Sequence, residues 1–167
     1  MLLYKDVISG DELISDAYDL ELKDGIVYEA DCAMVEVGGE NVDIGANASA
    51  EEADEGTDDT KEKVNNIVYS FKLTPTSFDK KSYMTYIKGY MKKVKAHLQE
   101  NDPDSVAEFE KGAATFVKKV LGNFNDYEFY TGESMNPDGM VALLNYREDG
   151  TTPYFSFFKH ALKEEKL

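Results

Sequence analysis

Tyr83, Ile87, Tyr90, Val94 and Leu98 step along the chain by 4, 3, 4 and 4, which places them in one stripe on a helix. Asn101-Asp102-Pro103 interrupts that helix, and a second stripe follows at Val106, Phe109, Ala113, Phe116, Val117, Val120 and Leu121. Ser77 and Asp79 are both suited to cap the first helix. Asp102 as N-cap with Pro103 at the first helical position restarts the chain as a helix, and Gly122 fits its C-terminal cap. So short a connection predicts an antiparallel helical hairpin over about 79–122.

Both flanks change period. In the first 45 residues MLLYKDVI, GIVYEADCAMVEV and NVDIG read as strands, bounded by turns at Ser9-Gly10, Asp24-Gly25 and Gly38-Gly39. Ile26, Tyr28 and Ala30 alternate with Val27, Glu29 and Asp31 along one strand reaching Val37, and Gly38-Gly39 suits a hairpin turn. Val64–Leu73 resumes strand character, and Thr74-Pro75-Thr76-Ser77 stops it. After the hairpin come YEFYTG, VALLNYRE and TPYFSFFK, with turns at Asn136-Pro137-Asp138-Gly139 and Glu148-Asp149-Gly150. The order predicts one α+β domain over 1–167, mostly antiparallel, with its last strands pairing with its first.

Charge divides the chain differently. The net charge of −15 comes from 18 basic and 33 acidic side chains. Residues 1–78 hold 5 basic and 19 acidic groups, whereas 79–124 hold 9 and 6. Residues 45–63 contain seven acids and no large apolar side chain, which predicts a flexible acidic loop. Against this, Lys80, Lys81, Lys88, Lys92, Lys93 and Lys95 lie on the first helix with no acid between Asp79 and Glu100. Lys88, Lys92 and Lys95 share a face, with Lys81 earlier on it. Like charges there forgo i,i+4 pairs worth ~0.2–0.5 kcal/mol each. A solvated face and an anion-binding face are equally good readings, with acidic protein tails or nucleic acid as the anion.

Several chemistries are excluded. No apolar run approaches the ~20 residues that span a membrane. Acids at Asp6, Asp11 and Glu12 come too early for a secretory signal, so a cytosolic protein is expected and Asn47-Ala48-Ser49 is a chance sequon. Cys32 is the single cysteine, which rules out an intramolecular disulfide and a CxxC zinc site; it reads as a small core residue in a strand. His97 and His160 are 63 residues apart, and His97 sits among lysines as a surface group. There is no G-x-S-x-G, H-E-x-x-H or Walker-A loop, so no enzyme site and no required cofactor is expected. Asp54-Glu55-Gly56-Thr57-Asp58-Asp59 does not fit an EF-hand, leaving only weak Ca²⁺ binding open. Glu12 and Glu133 each sit beside turn residues (Gly10-Asp11; Thr131-Gly132), and their spacing alone marks them as ordinary surface acids.

IGANASAE (44–51) and FDKKSYMTYIKGYMKKVKAHL (78–98) resemble the two signatures of the translationally controlled tumour protein (TCTP) family. MLLYKDVISGDELISDAYD at the start, YTGESMNPDGMVALLNYREDG (130–150) and the final FFK…EEK extend the resemblance over essentially the whole chain. Ala48 departs from the family, which usually has Pro after the Asn. The resemblance implies a β-tent fold, similar to Rab chaperones and methionine sulfoxide reductases, with a projecting helical hairpin and a flexible acidic loop. One cysteine leaves neither the zinc site nor the reductase chemistry of those relatives. It also implies a non-enzymatic regulator linked to translation and growth control, microtubule association, weak calcium binding and protection from apoptosis. Implied partners are tubulin, a Rheb-like small GTPase, a translation elongation factor and anti-apoptotic proteins; guanine nucleotide exchange is the disputed alternative activity. Glu12 and Glu133 match positions assigned to GTPase contact, and the basic hairpin matches the region assigned to tubulin, which makes nucleic acid the weaker candidate.

Overall fold

The computed structural model of the chain describes residues 1–37 and 62–166. The Gly38-Gly39 turn, the NVDIG strand, the first signature and nearly all of the acidic loop lie outside the described residues. Glu62 and Lys63, expected in that loop, instead belong to a strand.

Two sheets carry the body, and every strand pair is antiparallel. A three-stranded sheet has β1 (Leu2–Asp6) between β11 (Leu162–Lys166) and β2 (Glu12–Ser15). A six-stranded sheet runs β3 (Leu20–Lys23), β4 (Val27–Asp31), β10 (Pro153–Phe158), β9 (Ala142–Tyr146), β8 (Glu128–Thr131) and β7 (Thr74–Thr76). The expected pairing of last strands with first ones is therefore found twice, at β1–β11 and at β4–β10. β10 is buried along its whole length. β10 is an interior strand of its sheet, and Phe158 at its end packs against Tyr90 of the helical hairpin.

The helical hairpin forms as the stripes require. Helix α2 (Lys80–Asn101) buries Tyr83, Ile87, Tyr90, Val94 and Leu98, and helix α3 (Val106–Gly122) buries Phe109, Ala113, Phe116, Val117 and Val120. Asp79 caps α2 in a capping box with Ser82: the Ser82 N–H donates to Asp79 Oδ1 at 2.7 Å and the Asp79 N–H to Ser82 Oγ at 3.0 Å. Hydrogen bonding from the Ser82 backbone N–H first, and then from the Ser82 side chain, holds the Asp79 carboxyl below the usual range. Pro103–Ser105 make one 3₁₀ turn before α3 begins. Gly122 is the last helical residue rather than a left-handed cap, and Asn123 ends the helix. Phe109 and Phe116 set their edges against Phe158, at ring separations of 6.3 and 5.4 Å, which seats α3 on the end of β10.

Other sequence expectations are corrected. Val64–Leu73 is not one strand. β6 (Glu62–Asn65) stops at Asn65, whose Oδ1 accepts from the N–H groups of Ile67 and Val68 and so caps helix α1 (Asn66–Phe71). Lys72 closes α1 in a left-handed conformation, φ 54°. β-branched residues in a short apolar run allow either structure, and the capping side chain decided it. Thr74-Pro75-Thr76 forms edge strand β7, where Pro75 has no ladder bond to forfeit on its open side. The long strand read through Cys32 divides into β4 and β5 (Met34–Val37), and β5 pairs with β6 in a separate ribbon. The chain turns away at Cys32, whose N–H donates to Pro153 O at 2.8 Å. Glu29 is buried although it alternates as an outward residue. Arg147 explains this, with Nη1 on Glu29 at 2.6 Å, Nε on Asp31 at 2.8 Å, and its guanidinium 3.9 Å from the Tyr154 ring centre.

A buried carboxylate fastens these layers. Asp6, 2% exposed at the end of β1, accepts four hydrogen bonds. They come from the Ile8 N–H at 3.0 Å, Ser9 Oγ at 2.7 Å, the Met140 N–H at 2.6 Å and the Tyr90 hydroxyl of α2 at 3.0 Å. Tyr86, one turn earlier, donates to Gly139 O at 2.6 Å and accepts from the Val141 N–H at 2.9 Å. A Cβ at Gly139 would approach Asp6 Oδ2 to 2.9 Å, so the knot also requires that glycine. Asp6→Ala strands several buried donors at about 1–3 kcal/mol each. Urea unfolding is expected to show a loss of at least about 3 kcal/mol, with roughly 1 kcal/mol for Tyr90→Phe. Burial also pushes the Cys32 thiol up to about 11. The folded chain should therefore react with a disulfide reagent at neutral pH far more slowly than the urea-unfolded chain.

Candidate functional site

Two surfaces contain the sequence candidates. The first grows out of the turn after β1. The Gly10 N–H donates to Asp6 O at 2.8 Å, with Gly10 at φ 80°, and the Asp11 N–H donates to Ser9 Oγ at 3.2 Å. This turn aims the Asp11 carboxylate at a loop 123 residues away in the chain. Ser134 Oγ donates to Asp11 Oδ2 at 2.7 Å and the Ser134 N–H to Oδ1 at 3.3 Å. Gly132 lies directly beneath, and a Cβ there would fall on the Asp11 side chain.

Glu12 follows Asp11 and Glu133 precedes Ser134, so this contact brings the two glutamates from distant β-regions onto one exposed surface. Glu12 starts β2 opposite Lys5 of β1, which is itself ion-paired with Glu165. Glu133 Oε1 lies 3.7 Å from Lys72 Nζ at the end of α1, and α1 packs on β2. Both partners of that pair are well exposed, so it contributes at most a few tenths of a kcal/mol, ~0.2–1. α1 adds Tyr69 and the loop adds Met135, each 60% exposed. Neither Asp11, Ser134, Tyr69 nor α1 was singled out from sequence. Gly132 beside an acid-capped turn was the one available signal. Gly132→Ala is expected to break the Asp11–Ser134 contact and shift the backbone resonances of residues 9–12 and 132–135, whereas Gly122→Ala, which meets open space, should leave them unchanged.

The second surface is the outer side of α2. Of its six lysines, Lys93 Nζ lies 2.9 Å from Asp138 and Lys95 Nζ 3.3 Å from Glu110 of α3. Although these lysines forgo i,i+4 pairs within their own helix, acids from neighbouring elements balance two of them. Lys80, Lys81, Lys88 and Lys92 are exposed and have no ion pair among the described residues. Between the two surfaces lies a cleft of about 540 Å³ walled by Phe78, Tyr86, Tyr90, Met135 and the Lys93–Asp138 pair.

The histidines, distant in sequence, line one cavity of about 390 Å³ where the hairpin connection meets β11. His160 packs against Phe109, its Nε2 is 3.7 Å from Glu108, and its buried Nδ1 has no hydrogen-bond partner among the described residues. Burial lowers its pKa and Lys159 adds to this, against the pull of Glu108 and Asp102. The unfolded chain takes up this proton near pH ~6.5 while the folded chain resists it, so His160 removes stability as pH falls below that value. Unfolding measured between about pH 7 and 5 is expected to show a larger loss in the native sequence than in His160→Gln. Among the described residues no three His, Cys, Asp or Glu side chains gather as metal ligands. No described helix is long and apolar enough to cross a membrane.

Comparison with known proteins gives one result throughout. The family profile described as translationally controlled tumour protein matches residues 1–163. The translationally-controlled tumor protein homolog of Candida albicans is 69% identical over 167 residues, and that of Saccharomyces cerevisiae 63%, each covering both chains completely. Among solved structures, the tumor-associated protein p23fyp of Schizosaccharomyces pombe superposes with TM-score 0.84 at 68% identity, with both chains fully covered. The solution structure of the Caenorhabditis elegans protein gives 0.73 at 36% identity, covering 100% of this chain and 99% of that one.

Proposed function

This chain belongs to the translationally controlled tumour protein family, and on that footing we propose that it is a non-enzymatic cytoplasmic regulator that binds other proteins through two oppositely charged faces. The acidic face, with Glu12 and Glu133, would contact a Rheb-like small GTPase or a translation elongation factor. The observation that supports it most is the Asp11–Ser134 contact, which holds both glutamates on one surface beside exposed Tyr69 and Met135. Exposed aromatic and methionine side chains are enriched in protein interfaces, and charged groups such as the two glutamates suit a polar rim around them. Glu12→Lys with Glu133→Lys is expected to weaken GTPase or factor binding at least about tenfold in titration calorimetry, with an unchanged unfolding midpoint. Undiminished binding would overturn the acidic face. Slower GTPase nucleotide release with the native chain than with the variant would be the wrong sign for an exchange factor.

The basic face is supported by the unpaired state of Lys80, Lys81, Lys88 and Lys92. It would meet the acidic tails of tubulin, through attraction screened over about 8 Å at physiological salt. Lys88→Glu with Lys92→Glu should reduce microtubule co-sedimentation several-fold at low salt and less at high salt. Lys93 and Lys95 are left intact in that variant because they hold Asp138 and Glu110. Co-sedimentation that is indifferent to the double reversal would remove tubulin as the partner of this face.

A further inference from the structure

We propose that the groove between α2 and α3 is a docking site for an acidic amphipathic helix of a partner protein. The groove, of about 480 Å³, is floored by Met84, Ile87 and Met91 of α2 and Val117 and Leu121 of α3. Met84 is 38% exposed and lies off the buried stripe of its helix, so it is not explained by the hairpin seam. One lysine from each helix flanks the floor, Lys88 and Lys118; both are exposed and unpaired among the described residues. The Lys95–Glu110 pair spans the two helices at 3.3 Å and closes the end nearest their connection. The open stretch from Met84 to Met91 is about 10 Å long, two turns of a docked helix.

The chemistry of the walls selects the occupant. An extended acidic tail would pair with the lysines and leave the methionines and Leu121 in water. A neutral apolar helix would cover the floor and desolvate both lysines without a partner. A helix with apolar residues at i, i+3 or i+4, and i+7, bordered by Glu or Asp on both sides, satisfies floor and rim together. Methionine is unbranched and adaptable, so the floor should accept leucine, isoleucine or phenylalanine in the partner. The net charge of −15 repels acidic partners in general, which leaves the lysine-bordered groove as a locally favoured landing place. This deepens the reading of the hairpin as a surface for acidic proteins and rests on it through Lys88.

The test uses the full chain with methyl-labelled methionine and two synthetic peptides of equal negative charge. One is an acidic helix of about four turns with leucines on one side, and in the other the leucines are serines. The chain has six methionines, so the readout identifies the site. The expected result is movement of the Met84 and Met91 methyl signals, stationary signals for Met1, Met34, Met135 and Met140, and at least about tenfold tighter binding of the leucine peptide. Lys118→Glu and Met84→Gln, both at exposed positions, should each weaken that peptide several-fold, and the charge-neutral Met84→Gln should leave microtubule co-sedimentation unchanged. Equal binding of the two peptides with stationary Met84 and Met91 overturns the groove and leaves the lysine face standing. Binding of neither peptide overturns both. Movement of the same two methyls on raising the protein concentration alone would assign the groove to a second copy of this chain and overturn the partner helix.

Discussion

The Asp6 carboxylate sets the relation between the parts. It is buried without a cation and relies on four donors drawn from its own turn, from α2 and from the segment before β9. A buried carboxylate survives in a low-dielectric interior only when its oxygens are fully hydrogen-bonded. Its neighbours are therefore constrained together. Ser9 passes the constraint to Asp11 and from there to Ser134, and Tyr90 passes it to the helix with the lysines. The two charged surfaces share one anchor, although they come from different parts of the sequence.

That arrangement also explains how a strongly acidic chain tolerates a lysine-rich helix. α2 is fixed by its apolar stripe and by the tyrosine hydroxyls at positions 86 and 90, not by surface ion pairs. Tyr90, which looks like a packing residue in the stripe, is also a hydrogen-bonding post, and Tyr86 beside the stripe is another. With the helix held from beneath, Lys80, Lys81, Lys88 and Lys92, which have no ion pair among the described residues, are free of a structural duty. Charge reversal there should change recognition more than folding, since exposed pairs contribute little.

The hairpin was legible because its evidence is local: a period, a proline and a cap within 44 consecutive residues, 79–122. The antiparallel order followed from turn chemistry and the return of strand patterns. What failed was decided by partners far along the chain. Glu29 is buried because Arg147 arrives 118 residues later, and the strand through Cys32 bends because Pro153 takes its N–H. α1 turned on one asparagine oxygen. The lysines of the basic face were visible as charge, but Asp138 and Glu110, which engage Lys93 and Lys95, were not assignable from spacing. Glu12 and Glu133 had no local signal at all; only family resemblance marked them, and the Asp11–Ser134 contact between their sequence neighbours could not be assigned from spacing.

The pairing of β1 with β11 has a consequence for synthesis. β1 is the central strand of its sheet, and it is made shortly before β2 but long before β11, its other ladder partner. Until β11 is made, only the β2 side of the strand can be paired, and the Asp6 side chain beside it keeps hydrogen bonds to water. Met140 and Tyr90 must also be made before the knot can close. The hairpin, being local, can pair early, but the three-stranded sheet closes only once β11 has been made. During elongation the nascent chain therefore carries one open edge of β1 while a basic helix built from local contacts is already able to form, and the Asp6 anchor is among the last parts of the fold to be secured.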